Sequence, residues 1–166
     1  EEADSPLLAG MDDRESTFLA GVAIEAELPA DIDVELGYQH DVLDRIGGGI
    51  GSLSISRTLQ SGVVQYTPQL SLNYLSAEIT QYDFGVAADK ATLARPAYQP
   101  GSSTSIEAGL RLFIEITREW LLQANINVEQ FSSEVTDSPI VDQDEVIKGF
   151  VTLGYYSLTF FPGVAL

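Results

Sequence analysis

Histidine, aspartate and serine residues that could form a hydrolytic triad occur close together in the first third of the sequence. His40 is the only histidine, Asp41 follows it, and Ser54 and Ser56 lie a short distance downstream. A triad requires the three groups to converge beside an oxyanion site. In the alternating pattern of this region, His40 shares the parity of Tyr38 and points outward at a rim, whereas both serines point inward. The sequence therefore predicts no catalytic site.

A second set of chemically capable residues consists of carboxylates that recur at the polar positions of alternating segments, accompanied by two cations. They are Glu25, Glu27, Asp33, Glu35, Glu107, Glu115 and Glu129, with Arg111 and Lys148. If these segments close into a barrel, the set either fills a narrow interior, with Arg111 pairing with carboxylates, or lines a cation-preferring pore. The number of strands distinguishes these two possibilities, because small barrels fill with side chains whereas about 16 strands leave a channel.

Cofactor, metal and nucleic-acid sites are not indicated. The Gly47–Gly51 run lacks the strand–helix context of a phosphate loop, and the chain has no cysteine. A net charge of −17 argues against nucleic acid, because few cations are available to neutralise phosphates. No spacing of acidic loop residues matches a calcium loop. These residues are Glu1, Glu2, Asp4, Asp12, Asp13, Glu15, Asp41, Asp44, Glu134, Asp137, Asp142, Asp144 and Glu145.

The elements that carry these residues are strands, most clearly between Ser103 and Ser132. Apolar residues alternate there with polar ones on both sides of the short turn Thr117-Arg118, which predicts an antiparallel hairpin. Each strand exceeds the roughly 9–11 residues needed to cross a bilayer obliquely. One face is apolar along its whole length and the other is charged, as in a transmembrane β-barrel. The apolar residues are Ile106, Ala108, Leu110, Leu112, Ile114, Ile116, Trp120, Leu122, Ala124, Ile126 and Val128.

The same alternation predicts five further strands, at about 16–28, 32–39, 51–59, 64–74 and 146–158. Pro68 suggests a bulge in the fourth strand, because proline cannot donate to the ladder. Residues 75–102 alternate poorly. In bacterial barrels, short periplasmic turns alternate with long extracellular loops, and this rule is satisfied if 75–102 is one long extracellular loop. The alternative, a strand at 76–86, would break the rule.

The predicted fold is therefore all-β: an antiparallel up-and-down transmembrane β-barrel, forming a single domain over 1–166 with seven strands in this chain. Seven is odd, whereas single-chain bacterial barrels close with an even number. We therefore expect upstream strands, and about 10–12 strands in the complete protein.

The loop motifs of the chain resemble those of the MipA/OmpV family of outer-membrane proteins. The matching pieces are Leu8–Asp13, Tyr82–Val86, Arg95–Pro100, and Trp120 followed by Asp137–Val141. The chain departs from the family in lacking its amino-terminal third. It also ends at Leu166 without the terminal aromatic residue that such barrels usually carry.

The resemblance implies a non-enzymatic barrel in the outer membrane of a Gram-negative bacterium. One family member is a scaffold that joins a murein-cleaving lytic transglycosylase to a murein synthase, and others are discussed as porin-like or antigenic. The expected function is a scaffold or structural role in the cell envelope, and the alternative is a small cation-preferring porin. A third reading, a soluble carrier, would need the apolar faces to be buried by something other than lipid. The expected partners are outer-membrane lipid, lipopolysaccharide bridged to the acidic loops by divalent ions, and murein hydrolases or synthases.

Overall fold

The computed structural model describes residues 10–11 and 16–156. Seven long strands form one antiparallel sheet, and an eighth, three-residue strand lies between the third and fourth of them. In chain order the strands are β1 Leu19–Leu28, β2 Ile32–Asp41, β3 Gly49–Arg57, β4 Leu59–Ser61, β5 Val64–Leu75, β6 Ser103–Glu115, β7 Trp120–Phe131 and β8 Glu145–Tyr155. The helices are α1, Ala77–Phe84, a short 3-10 turn, Ala88–Lys90, and α2, Ser133–Thr136.

The sheet is an up-and-down meander in which each long strand pairs with the next one along the chain. Its order is β1-β2-β3-β5-β6-β7-β8, and β4 also pairs with β5. The sheet is open, since β1 and β8 lie at its two edges and do not pair with each other in the described part of the chain. The all-β, antiparallel up-and-down fold predicted from the alternation is confirmed.

The register aligns the apolar residues of successive strands into continuous rows. In one row Leu36 lies opposite Leu53, which lies opposite Leu72, which in turn lies opposite Ile106. The two-residue period sends the intervening polar residues to the other side. One face of the sheet is therefore apolar and the other polar across all seven long strands.

The exposure of these two faces is the reverse of that in a water-soluble protein. On β5, the apolar Leu70 and Leu72 are 51% and 47% exposed, whereas Ser71 between them is 8% exposed. Val22 and Ile24 on β1 are more than two-thirds exposed. An apolar face left open on this scale requires a covering medium, and lipid covers the outside of a barrel while polar side chains line its inside.

Two strand predictions need correction. The first strand begins at Leu19 rather than near Ser16. Pro68 produces no bulge, because Ser56 pairs with Gln69 and Leu59 with Tyr66 in one continuous register. Proline has no N–H to donate, so pairing lapses for about two residues and divides β3 from β4. The last strand ends at Tyr155, and the predicted continuation to 158 falls outside the described residues.

Connections of different length lie at opposite ends of the sheet. Short turns at 29–31, 62–63 and 116–119 occupy one end, and longer segments at 42–48, 76–102 and 132–144 occupy the other. The segment 76–102 contains α1 and adds no long strand to the sheet, so the alternative of a strand at 76–86 is wrong. Within the described residues, neither helix has the length and apolar character to cross a membrane.

Candidate functional site

All nine charged residues singled out in the sequence lie on the polar face of the sheet, because each occupies the polar parity of its strand. Four glutamates and two serines form one row across six strands, since each is the register partner of the next. The row runs Glu25, Glu35, Ser54, Ser71, Glu107 and Glu129. In the adjacent row Glu27 lies opposite Asp33. The carboxylates of these rows give the polar face a strong negative charge. Those that lie directly opposite each other repel.

One ion pair relieves this repulsion at the β7–β8 side. Lys148 donates from Nζ to Glu129 Oε2 at 2.8 Å, and Ser105 Oγ donates to Glu129 Oε1 at 2.6 Å. The Glu129 side chain is 11% exposed, so these two donors replace the water that it has lost. The predicted pairing of Arg111 with carboxylates is absent among the described residues.

The polar face is concave. Glu25 of β1 and Arg111 of β6 line the same recess, which has a volume of about 310 Å³. Four strand spacings separate these two strands, or about 19 Å in a flat sheet. Side chains of this length can share a small recess only where the sheet curves around its polar side. The observed curvature matches the wall of a barrel with a polar interior.

The candidate triad residues lie apart. His40 is on the apolar side, where its ring stacks on Tyr38 with centroids 6.3 Å apart, and Ser54 and Ser56 are on the polar side. Asp41 was predicted to be a loop residue, but it is the last residue of β2 and only 3% exposed. Its carboxylate accepts hydrogen bonds from the Thr17 hydroxyl and from the backbone N–H groups of 43, 46 and 47. Asp41 therefore holds the 42–48 connection in place.

A compact cluster closes the long-loop end of the polar face, and we call it the cap, residues 76–102 and 132–141. Its centre contains Ile79, Val86 and Val135, which are the buried hydrophobic residues of the described chain. Thr80 Oγ1 lies 3.0 Å from Ser103 Oγ, and the Phe84 and Phe131 rings are 6.4 Å apart. Ser103 and Phe131 both have the polar parity of their strands. The cap therefore lies against the concave side of the sheet.

Three of the motifs that suggested a family resemblance, Tyr82–Val86, Arg95–Pro100 and Asp137–Val141, meet inside this cap. Trp120 lies at the other end of the sheet, against Tyr155, and most of Leu8–Asp13 falls outside the described residues. Val86 and Tyr98 form a two-hydrogen-bond bridge, each N–H donating to the other's carbonyl at 2.9 Å. Ser138 Oγ donates to the Phe84 carbonyl at 2.6 Å, and the Tyr98 hydroxyl donates to the Glu134 carbonyl at 3.1 Å. Burial, together with the nearby charges of Asp137 and Glu134, raises the pKa of Tyr98. Hydrogen bonds thus join Tyr82–Val86 both to Arg95–Pro100 and to Asp137–Val141.

The sequence pattern did not indicate that these loops would fold together. The contacts join residues as far as 54 positions apart along the chain, as between Phe84 and Ser138. The periodicity of apolar residues predicts which residues share a face of one strand or helix. It does not predict contacts between loops. The sequence feature that could have indicated these contacts is the recurrence of small polar and aromatic residues in segments without the two-residue period of a strand.

An open apolar face, a concave polar face and long connections gathered at one end define an outer-membrane protein of the β-barrel class. The chain matches the family described as "MltA-interacting protein MipA" over residues 1–156. The protein therefore belongs to the MipA family, as the motifs predicted, and its location in the outer membrane of a Gram-negative bacterium is confirmed.

Curated relatives carry names that agree with this assignment. The chain is 31% identical to outer membrane protein Omp26La of Vibrio anguillarum and 30% identical to outer membrane protein OmpV of Vibrio cholerae, in each case over 89% of this chain and 57% of the relative. It is 26% identical to the MltA-interacting protein of Escherichia coli K12 over 80% of this chain and 54% of the relative. The chain thus spans a little more than half the length of these relatives, whose names denote outer-membrane or interacting proteins.

Proposed function

We propose that the complete protein is a non-enzymatic outer-membrane barrel that acts through its surfaces, as a scaffold or structural protein of the cell envelope. The observation that carries this proposal is the cap. A cluster with its own buried core lies against the concave face, and hydrogen bonds such as Ser138 to Phe84 hold it there. A barrel mouth filled in this way is obstructed, and an obstructed barrel serves as a support more readily than as a channel.

We place the long connections, including 75–102, outside the cell, and the short turns in the periplasm. This orientation follows the usual arrangement of bacterial barrels. The apolar face would contact membrane lipid, and the acidic connections would approach lipopolysaccharide through divalent ions. The periplasmic side would then be available to an envelope enzyme.

The name of the E. coli relative states that it interacts with MltA, and we propose a murein-remodelling enzyme as a partner of this protein too. Surface plasmon resonance between the complete protein in detergent and a purified MltA from the same bacterium tests this part. Saturable binding is expected. The absence of binding at micromolar concentrations would contradict the proposed role in organising enzymes. The proposal would then reduce to a purely structural role.

Conductance in planar bilayers tests the obstruction directly. The complete protein should show little or no steady current, because the cap obstructs the mouth of the barrel. A double variant, Tyr98→Phe with Ser138→Ala, removes two hydrogen bonds that hold the cap and should raise the current. A raised current from this variant would show that the protein has inserted and would serve as the positive control.

The second candidate function, a cation-preferring pore, is favoured by the carboxylate rows of the polar face. Conduction through such a lining would select cations. Large stable currents from the unmodified protein, reduced when Glu25 and Glu107 are replaced by glutamine, would overturn the scaffold proposal and establish the pore. Both residues are suitable probes because neither is ion-paired in the described part of the chain.

A further inference from the structure

The recess on the polar face contains charges of both signs that face each other without pairing. Glu25, Asp33 and Glu35 contribute carboxylates from β1 and β2, and Arg111 contributes a guanidinium from β6. Among the described residues, none of these four side chains takes part in a hydrogen bond or an ion pair. Arg111, Glu25 and Glu35 are exposed on the polar face, so their charged groups are accessible to a ligand.

The spacing of the strands explains why these charges stay apart. β3 and β5 lie between β2 and β6, so the backbones that carry Asp33 and Arg111 are three strand spacings apart, or about 14 Å in a flat sheet. The side chains shorten this distance, and the curvature of the sheet shortens it further. The recess volume of about 310 Å³ leaves room for a small molecule between the two walls.

The floor of the recess is formed by short polar side chains. Ser56 of β3 and Gln69 of β5 are register partners and lie between the two charged walls. Hydroxyl and amide groups can donate or accept hydrogen bonds as a ligand requires. The recess therefore has a negative wall, a neutral polar floor and a positive wall.

We propose that this recess binds a small zwitterion, an amino acid or a short peptide, with its ammonium group at the carboxylates and its carboxylate at Arg111. The guanidinium can donate two parallel hydrogen bonds to a carboxylate. A simple cation would be repelled by Arg111, and a simple anion would face three carboxylates. A ligand with both charges satisfies both walls. This proposal is independent of the scaffold role, because binding in a recess requires no conduction.

Calorimetric titration of the complete protein in detergent micelles tests the site with three probes of similar length. Diglycine carries both charges, cadaverine two positive charges and glutarate two negative charges. Diglycine should bind most tightly. Arg111→Gln and Asp33→Asn should each weaken its binding about tenfold, as expected for one charge-assisted contact.

Matched controls change the same charges outside the recess. Arg118→Gln and Glu119→Gln lie in a short turn, both exposed, and each should leave diglycine binding within about twofold. Circular dichroism establishes that every variant is folded. Cadaverine binding as tightly as diglycine and insensitive to Arg111→Gln would show a plain cation site and overturn the proposal. Failure of diglycine to bind the unmodified protein at millimolar concentration would also overturn it, and no variant is needed for that result.

Discussion

At the scale of single residues, strand parity determined which face each side chain occupies, but not what it touches. The period of two assigns Glu107 and Arg111 to the polar face as soon as β6 is recognised. The ion pair between Lys148 and Glu129 depends on the register between β7 and β8, which alternation does not determine. The burial of Asp41 depends on how the 42–48 connection folds around its carboxylate.

Replacing Glu129 by glutamine should lower the free energy of unfolding by about 1–3 kcal/mol, because Ser105 and Lys148 lose a charged acceptor in a shielded position. Glu115→Gln makes the same chemical change at an exposed position and should stay within about 0.5 kcal/mol of the unmodified protein. Urea titration of protein refolded in vesicles measures both. Equal effects would mean that the Glu129 network does not stabilise the sheet.

On the apolar face, Leu110 and Ile126 are register partners near the middle of β6 and β7. Leu110→Arg or Ile126→Arg should each cost about 2–4 kcal/mol if the side chain lies near the bilayer midplane. Asn125→Arg, one position away on the polar face, should be mild. The same vesicle titration compares the three, and equal tolerance of all three replacements would contradict the assignment of faces.

At the scale of elements, regular alternation located the seven long strands, whereas the irregular segments were harder to interpret. The helix α1 was not predicted, because it is short and its few apolar residues give no clear helical period. Its position depends on contacts with other elements, such as Thr80 with Ser103. The bulge expected at Pro68 was wrong because the loss of one donor interrupts pairing without adding a residue.

Pro68→Leu should join β3 and β4 into one strand. Leucine restores the N–H and keeps an apolar side chain on the apolar face, where Leu70 lies two residues away. A gain of about 0.5–1.5 kcal/mol in unfolding free energy is expected from one added hydrogen bond. Hydrogen exchange at residues 57–59 should slow in parallel. Unchanged exchange there would show that something other than the proline separates the two strands.

At the scale of the whole molecule, the fold class was predictable because it rests on a pattern repeated over most of the chain. Alternation in each strand and the placement of short and long connections both point to an up-and-down sheet. The cap was not predictable in the same way, since it is assembled from loops distant in sequence. Only the folded chain shows that 76–102 and 132–141 form one body.

The orientation in the membrane can be tested by labelling single cysteines on intact cells. Leu93 is fully exposed in the long connection between β5 and β6, and this chain has no cysteine of its own. In a cysteine-free complete protein, Leu93→Cys should react with a membrane-impermeant maleimide. Arg118→Cys, in a short turn at the opposite end, should react only after the cells are lysed. The reverse pattern of labelling would invert the proposed topology.

Because the cap has a buried core of its own, the cap and the sheet are stabilised by different surroundings. We propose that lipid packs against the apolar face of the sheet, whereas Ile79, Val86 and Val135 are hidden from water within the cap. Stabilisation by exclusion of water weakens on cooling and carries a large heat-capacity change. The loop end of this membrane protein should therefore behave on cooling like a small soluble domain, and chilling should loosen it before the strands that hold it.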